Sequence, residues 1–165
     1  MTKILPSAQP SASGRKNLVC SEDALLLKNQ LCFPLYAAAR KIVRLYTPIL
    51  ASLDLTYTQY IALLALWEED GLTVTELGDR LYLDSGTLTP LLKKMEAQGL
   101  VIRARSRRDE RIVEVFLTDS GRSLREKALS IPARMVSCIN LSAEDATDLH
   151  RILNRLLDYE AEGGR

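Results

Sequence analysis

The sequence predicts a mainly α-helical chain with one small β-hairpin, and three observations predict it. Apolar residues recur at helical spacing along most of the chain. Helix-capping residues stand ahead of these stretches, and glycines follow several of them. One segment breaks the pattern. In "LVIRARSRRDERIVEVFLT" (100–118), alternating β-branched residues flank a charged turn.

The 165 residues suit roughly one domain, and a hydrophobic content of 47% is ordinary for a globular one. Lys and Arg number 22 against 21 Asp and Glu, so net charge carries no nucleic-acid signal and local clustering must supply one. No apolar run reaches about 18 residues, so no membrane partner is expected. The opening "MTKILPSAQPSASGRKN" lacks the apolar core of a signal peptide, and residues 1–20 read as a disordered tail. A cytosolic location follows, where cysteines stay reduced unless oxidation is their task. Cys20, Cys32 and Cys138 form no CxxC pair, and His150 stands alone. No zinc spacing and no cofactor is therefore predicted.

The elements follow in order. Two apolar rows define a first helix: Leu31, Leu35, Ala38, Ile42, Leu45, Ile49 beside Cys32, Tyr36, Ala39, Val43, Tyr46, Leu50. Both step by four and three, and together they make a face wider than one neighbouring helix needs. The region 21–53 is thus expected to pack against a second subunit as well as its own domain. Pro34 interrupts it, and predicts either a kink or a fresh start with Pro34 as first residue and Cys32 just outside. Thr56 with Gln59 forms a capping box before "YIALLALWEED", and Thr73 with Glu76 a second before "LGDRLYL". In "DSGTLTPLLKKMEAQG", Asp84 or Ser85 caps the next helix and Gly99 stops it. Pro90 lies early in that helix, where proline is best tolerated. After the hairpin, one helix is expected from Thr118 to about Ile139, and a last one, capped by Ser142, from Glu144 to about Tyr159.

A short helix, a tight turn, a second helix and a basic hairpin make a winged helix-turn-helix over 54–118. Helices over 119–160 are left for dimerisation, and 161–165 read as a flexible tail. The hairpin holds Arg103, Arg105, Arg107, Arg108 and Arg111 against Asp109 and Glu110. Arginines at a hairpin tip suit the strong negative potential of a narrow minor groove, although a solvated charged turn is the plainer explanation. Ser85, Thr87 and Thr89 open the preceding helix with hydroxyls able to meet bases or phosphates. Lys93 and Lys94 lie a turn later, within reach of phosphates. Capping alone also explains Ser85 and Thr87. Together these features predict binding to double-stranded DNA, with a two-fold dimer on an inverted-repeat operator.

"RSRRDER" resembles the wing signature of the MarR regulators. "LYLDSGTLTPLLKKMEAQGL", "LTYTQYIALLALWE" and "NQLCF-LY" resemble the organic hydroperoxide resistance regulators within that family. The resemblance spans about Leu27 to Leu157. It implies that Asp109 braces the wing through an ion pair and that Arg111 enters the minor groove.

The thiol needs its own account. Only a thiolate attacks a peroxide effectively, so a reactive cysteine needs groups that stabilise the charge. Tyr36, four residues after Cys32, shares its helical face and is a candidate donor, with Tyr46 and Tyr57 as others. The resemblance implies that tyrosines at these three positions gather around the reactive sulfur, partly from the opposite subunit. It also implies two branches, one with a second cysteine that resolves the oxidised sulfur as a disulfide. Cys138 is the candidate for that role, and Cys20 has none. A small buried hydrophobe is the alternative for Cys32.

The sequence thus favours a dimeric repressor that leaves DNA when organic hydroperoxides oxidise Cys32. Release by a small aromatic ligand is the competing account on the same fold. A thiol peroxidase is the competing enzyme, disfavoured by a DNA-reading constellation that no peroxidase needs. An architectural DNA binder indifferent to oxidants is the last alternative.

Overall fold

The computed structural model describes residues 22–139 and 141–158. The expected tails at 1–20 and 161–165, and Cys20 with them, lie outside these residues. Seven α-helices and three strands follow in chain order among the described residues: α1 Cys32–Leu50, α2 Tyr57–Glu68, β1 Leu72–Thr73, α3 Val74–Leu81, α4 Ser85–Ala97, β2 Val101–Arg105, β3 Val113–Leu117, α5 Asp119–Ala128, α6 Ile131–Cys138 and α7 Ala143–Leu157. The chain divides into two units, Met1–Arg44 and Leu45–Arg165, the boundary falling inside α1.

In the first unit, single-turn 3-10 helices at Glu22–Leu25 and Leu27–Asn29 precede α1. The helix starts at Cys32, so the expected fresh start with Pro34 as first residue and Cys32 outside does not occur. Proline occupies the third helical position, where the backbone N–H has no partner within the helix in any case. Pro48, near the other end of α1, is the proline that lies within the helix proper.

The second unit is built on a sheet of order β1-β3-β2, with Arg103 opposite Val115 and Leu72 opposite the same residue on the other side. The hairpin was legible in the sequence; β1, two residues long, was not. Helix starts follow the capping chemistry. Thr56–Gln59 and Thr73–Glu76 form complete capping boxes. Asp84, not Ser85, caps α4 by accepting from the Thr87 N–H, and Ser142 caps α7. Gly99, at φ +70, takes the left-handed turn that ends α4.

The core lies between α2, α3, α4 and the sheet. Leu63 and Leu66 of α2, Leu77 of α3, and Leu88, Leu92 and Met95 of α4 are fully buried against Val101 and Val115. Each such side chain contributes about 1.5–3 kcal/mol relative to exposure. The single helix expected from Thr118 to Ile139 is two. Pro132, at the start of α6, lacks the N–H that would continue the turn and crowds the carbonyl four residues back, so α5 ends at Ala128. Thr118 caps α5, whose Gly121 lies so close that an added Cβ would meet the Leu100 carbonyl oxygen at 2.1 Å. The last helix ends at Leu157, short of the expected Tyr159.

Candidate nucleic-acid interface and thiol site

Helix α4 divides cleanly into two faces. Leu88, Leu92 and Met95, spaced four and three apart, point into the core. Ser85, Thr87, Thr89, Pro90, Lys93 and Lys94 are exposed. Asp84 organises the entry: its Oδ1 accepts from the Thr87 N–H at 2.9 Å and its Oδ2 from the Thr87 hydroxyl at 2.9 Å. Those bonds hold the Asp84 carboxyl below the usual carboxylate range, the Thr87 backbone first and its hydroxyl second. The Thr87 hydroxyl proton is thus used by the cap, while Ser85 and Thr89 present theirs outward.

The wing is closed by its own backbone. The Ser106 N–H donates to the Ile112 carbonyl at 2.9 Å, and the Ile112 N–H to the Asp109 carbonyl at 3.0 Å. Asp109 braces this turn differently from expectation. Its carboxylate accepts the Arg111 backbone N–H at 2.9 Å, and it makes no ion pair among the described residues. The reason is local: an Asp side chain two residues ahead of an N–H closes an Asx turn without reaching for a guanidinium. Arg105 donates to the Glu110 carbonyl at 2.6 Å, across the base of the same turn.

Arg103, one of the hairpin arginines expected to meet DNA, is engaged within its own chain. Its Nε and Nη2 grip Glu96 Oε2 at 3.0 and 2.6 Å, and its backbone N–H donates to Glu96 Oε1 at 3.2 Å. The Arg103 side chain, followed by its N–H, holds the Glu96 carboxyl below its ordinary range. The strand β2 and the helix α4 are thereby tied together. Arg107, Arg108 and Arg111 are exposed and form no ion pair among the described residues. A cavity of about 540 Å³ separates wing from helices, lined among others by Thr75, Thr89, Arg103 and Arg111.

In the first unit, Cys32 is exposed at the first position of α1. Unpaired N–H groups at such a helix end favour negative charge. Tyr36 lies one turn on, and its hydroxyl accepts from Arg40 Nη1 at 2.6 Å while the guanidinium stacks on its ring at 5.5 Å. No hydrogen bond to Cys32 Sγ is present among the described residues, and the Tyr36 proton remains free to donate.

In the second unit, Tyr46 packs against Tyr57 at 4.9 Å between ring centroids and against Tyr60 at 5.8 Å. Tyr60 escaped the sequence reading because a buried phenol in an apolar helix looks like ordinary core. Burial first, and the neighbouring phenols second, push the Tyr46 hydroxyl above its ordinary value, and burial with Tyr57 does the same for Tyr60. Both therefore stay protonated donors at neutral pH. Also unforeseen is Gln59, fully buried, which donates to Gln98 at 2.5 Å and joins the start of α2 to the end of α4. Cys138 is exposed at the last position of α6.

Residues 44–128 match the family described as transcriptional regulator SarA/Rot. The chain is 51% identical to the organic hydroperoxide resistance transcriptional regulator of Bacillus subtilis, over 82% of this chain and 92% of that protein. Among solved structures it resembles reduced AbfR bound to DNA, with a TM-score of 0.71 and 34% identity over 82% of this chain and 92% of that one. It also resembles overoxidised AbfR bound to DNA, with a TM-score of 0.65 and 35% identity over 82% and 98%; AbfR comes from Staphylococcus epidermidis.

Proposed function

Because this chain belongs to the MarR-type winged-helix transcriptional regulators, in their organic hydroperoxide resistance branch, we propose that it is a repressor released from DNA by oxidation of Cys32. The family is one of DNA-binding regulators, not of enzymes. The observation that carries the proposal is the pairing of an exposed thiol at the first position of α1 with an outward-facing α4 and an arginine-tipped wing. Ser85, Thr89, Lys93 and Lys94 meet the major groove and its phosphates, while Arg107, Arg108 and Arg111 serve the wing. Asp109 and Arg103 act through the groups they hold.

Oxidation proceeds from the thiolate of Cys32. It attacks one peroxide oxygen, the O–O bond breaks, and the organic part leaves as an alcohol after taking a proton. Sulfur is left as sulfenic acid. The Cys138 thiol of a second subunit then attacks that sulfur, a disulfide forms and water departs. Tyr36, Tyr46 and Tyr57 are the phenols we assign to the thiolate. The relative AbfR has been found bound to DNA when reduced and when overoxidised. That pair of states favours the disulfide, rather than a change of charge at sulfur, as the releasing event.

A homodimer is part of the same proposal. Helix α7 buries no residue within its own chain, and leaves Leu149, Ile152 and Leu156 exposed at helical spacing. An inverted-repeat operator with recognition helices roughly 34–36 Å apart follows from two-fold symmetry. A second reading, release by a small aromatic ligand, draws on a cavity of about 410 Å³ lined by Tyr60, Leu64, Trp67 and Arg125. Titration of promoter DNA with reduced and cumene hydroperoxide-treated protein separates the two. Release by peroxide in wild type but not in Cys32→Ser supports the redox reading, and release in both overturns it.

A further inference from the structure

Tyr82 is the residue whose conformation its own chain does not explain. It ends α3 with φ 52 and ψ 40, in the left-handed region. Among the described residues one other non-glycine has positive φ, Asp54 at φ 54. Aspartate visits this region readily because its short side chain bonds locally, whereas a tyrosine bears the full clash of its Cβ. The local hydrogen bonds are those of an ordinary helix stop, with the Leu83 N–H donating to the Gly78 carbonyl at 2.9 Å. Glycine serves such a stop without strain.

The side chain does not repay the backbone inside the molecule. Tyr82 is 69% exposed, and its hydroxyl makes no hydrogen bond among the described residues. Its position is specific. It stands two residues ahead of Asp84, in the turn that delivers Ser85 and Thr89 to the surface. A left-handed residue held against its own preference, beside a candidate interface, points to a function for its side chain.

We infer that Tyr82 is a DNA-backbone contact: its ring lies on a deoxyribose and its hydroxyl donates to a phosphate oxygen where the groove edge passes the α3–α4 turn. The inference rests on the DNA-binding reading above. Phosphate and sugar contacts set register rather than sequence, so Tyr82 positions α4 without reading bases. As a neutral donor it displaces no counterion.

The test compares wild type, Tyr82→Gly, Tyr82→Asn and Tyr82→Phe by thermal melting and by titration of one promoter fragment across a salt series. Gly and Asn fit the left-handed backbone, so both variants should melt at or above the wild-type temperature. Both should nonetheless bind the promoter about tenfold more weakly, the size expected for a lost hydrogen bond to a charged group. Tyr82→Phe should fall between them and wild type. The slope of log affinity against log salt should stay unchanged in all three, unlike Lys93→Ala, which should reduce it by about one. Tyr82→Gly or Tyr82→Asn that melts normally and binds as tightly as wild type overturns the inference alone. Wild-type protein that binds no promoter fragment overturns the DNA-binding reading, and this contact with it.

Discussion

Single residues at the wing give the sharpest expectations. Arg111 is exposed, unpaired among the described residues, and presented by an Asx turn that Asp109 closes on its N–H. Arg111→Ala should weaken operator binding by about 1–3 kcal/mol, the range for a lost groove contact, as read by fluorescence anisotropy. Asp109→Ala should weaken binding too, by about 1 kcal/mol, although it removes a negative charge near DNA. Asp109→Asn keeps an acceptor for the Arg111 N–H and should retain most of the affinity. Tighter binding by Asp109→Ala would show that charge, not turn closure, is what Asp109 contributes. The position of the wing arginines was legible from local charge clustering in the hairpin, because charge clusters survive as clusters wherever a turn is formed. What Arg103 does was not legible. Its partner Glu96 is seven residues away across a helix end and a strand start, a distance no local pattern encodes. Thr87 was legible in two compatible roles, and the cap is the one seen, its hydroxyl donating to the Asp84 carboxylate.

At the scale of elements, boundaries written in side-chain chemistry were readable and boundaries set by packing were not. The two capping boxes and the Ser142 cap are local signals, and the helices begin there. Strand β1 is two residues that pair with β3 only because the chain returns to it some forty residues later, so no periodicity announces it. The break between α5 and α6 carried a signal, Pro132, which an otherwise continuous helical pattern outweighed. The start of α4 yields a pH expectation. Hydrogen bonds from Thr87 lower the Asp84 pKa in the folded chain below the ordinary 3.8. A depressed carboxylate adds stability above its unfolded value, and that stability fades as pH falls through the folded value. Glu76 and Glu96 are lowered as well, by Thr73 and by Arg103, and act in the same direction. The winged region should therefore lose stability as pH drops below about 4. Asp84→Asn should have a lower melting temperature than wild type at pH 7, with the gap shrinking on acidification. A gap that stays constant from pH 7 to pH 3 would remove the charged cap from the explanation.

For the whole molecule, the question is how one oxidised sulfur frees a DNA-binding surface. Cys32 and Cys138 are both exposed in the single chain, and in the proposed dimer each meets its counterpart from the other subunit. A disulfide constrains harder than a lost hydrogen bond. Its sulfurs must come within about 2 Å and its Cα atoms within about 7 Å. A phenol bond to a thiolate is worth roughly 1.5–3 kcal/mol, and its loss leaves the backbone free to stay where it was. If the two cysteines start farther apart than a disulfide permits, α6 or α1 must shift. Cys138 ends α6, and Pro132 separates that helix from α5, which packs against the winged region through Gly121 and the Trp67 indole that donates to the Gly121 carbonyl at 3.0 Å. Such a shift of α6 would begin at the Pro132 break and work against the burial of Ile131 and Met135 in its own chain. Cys138→Ser should accordingly bind the operator normally when reduced and, at one equivalent of cumene hydroperoxide, still consume the peroxide while staying on DNA. On a non-reducing gel it should give no covalent dimer, and mass spectrometry should find Cys32 as sulfinic acid at higher doses, since nothing intercepts the sulfenic acid. Cys32→Ser should remain on DNA at every dose. Should Cys138→Ser leave the operator as readily as wild type, the sulfenic acid itself is the releasing species, and the disulfide only protects it from further oxidation.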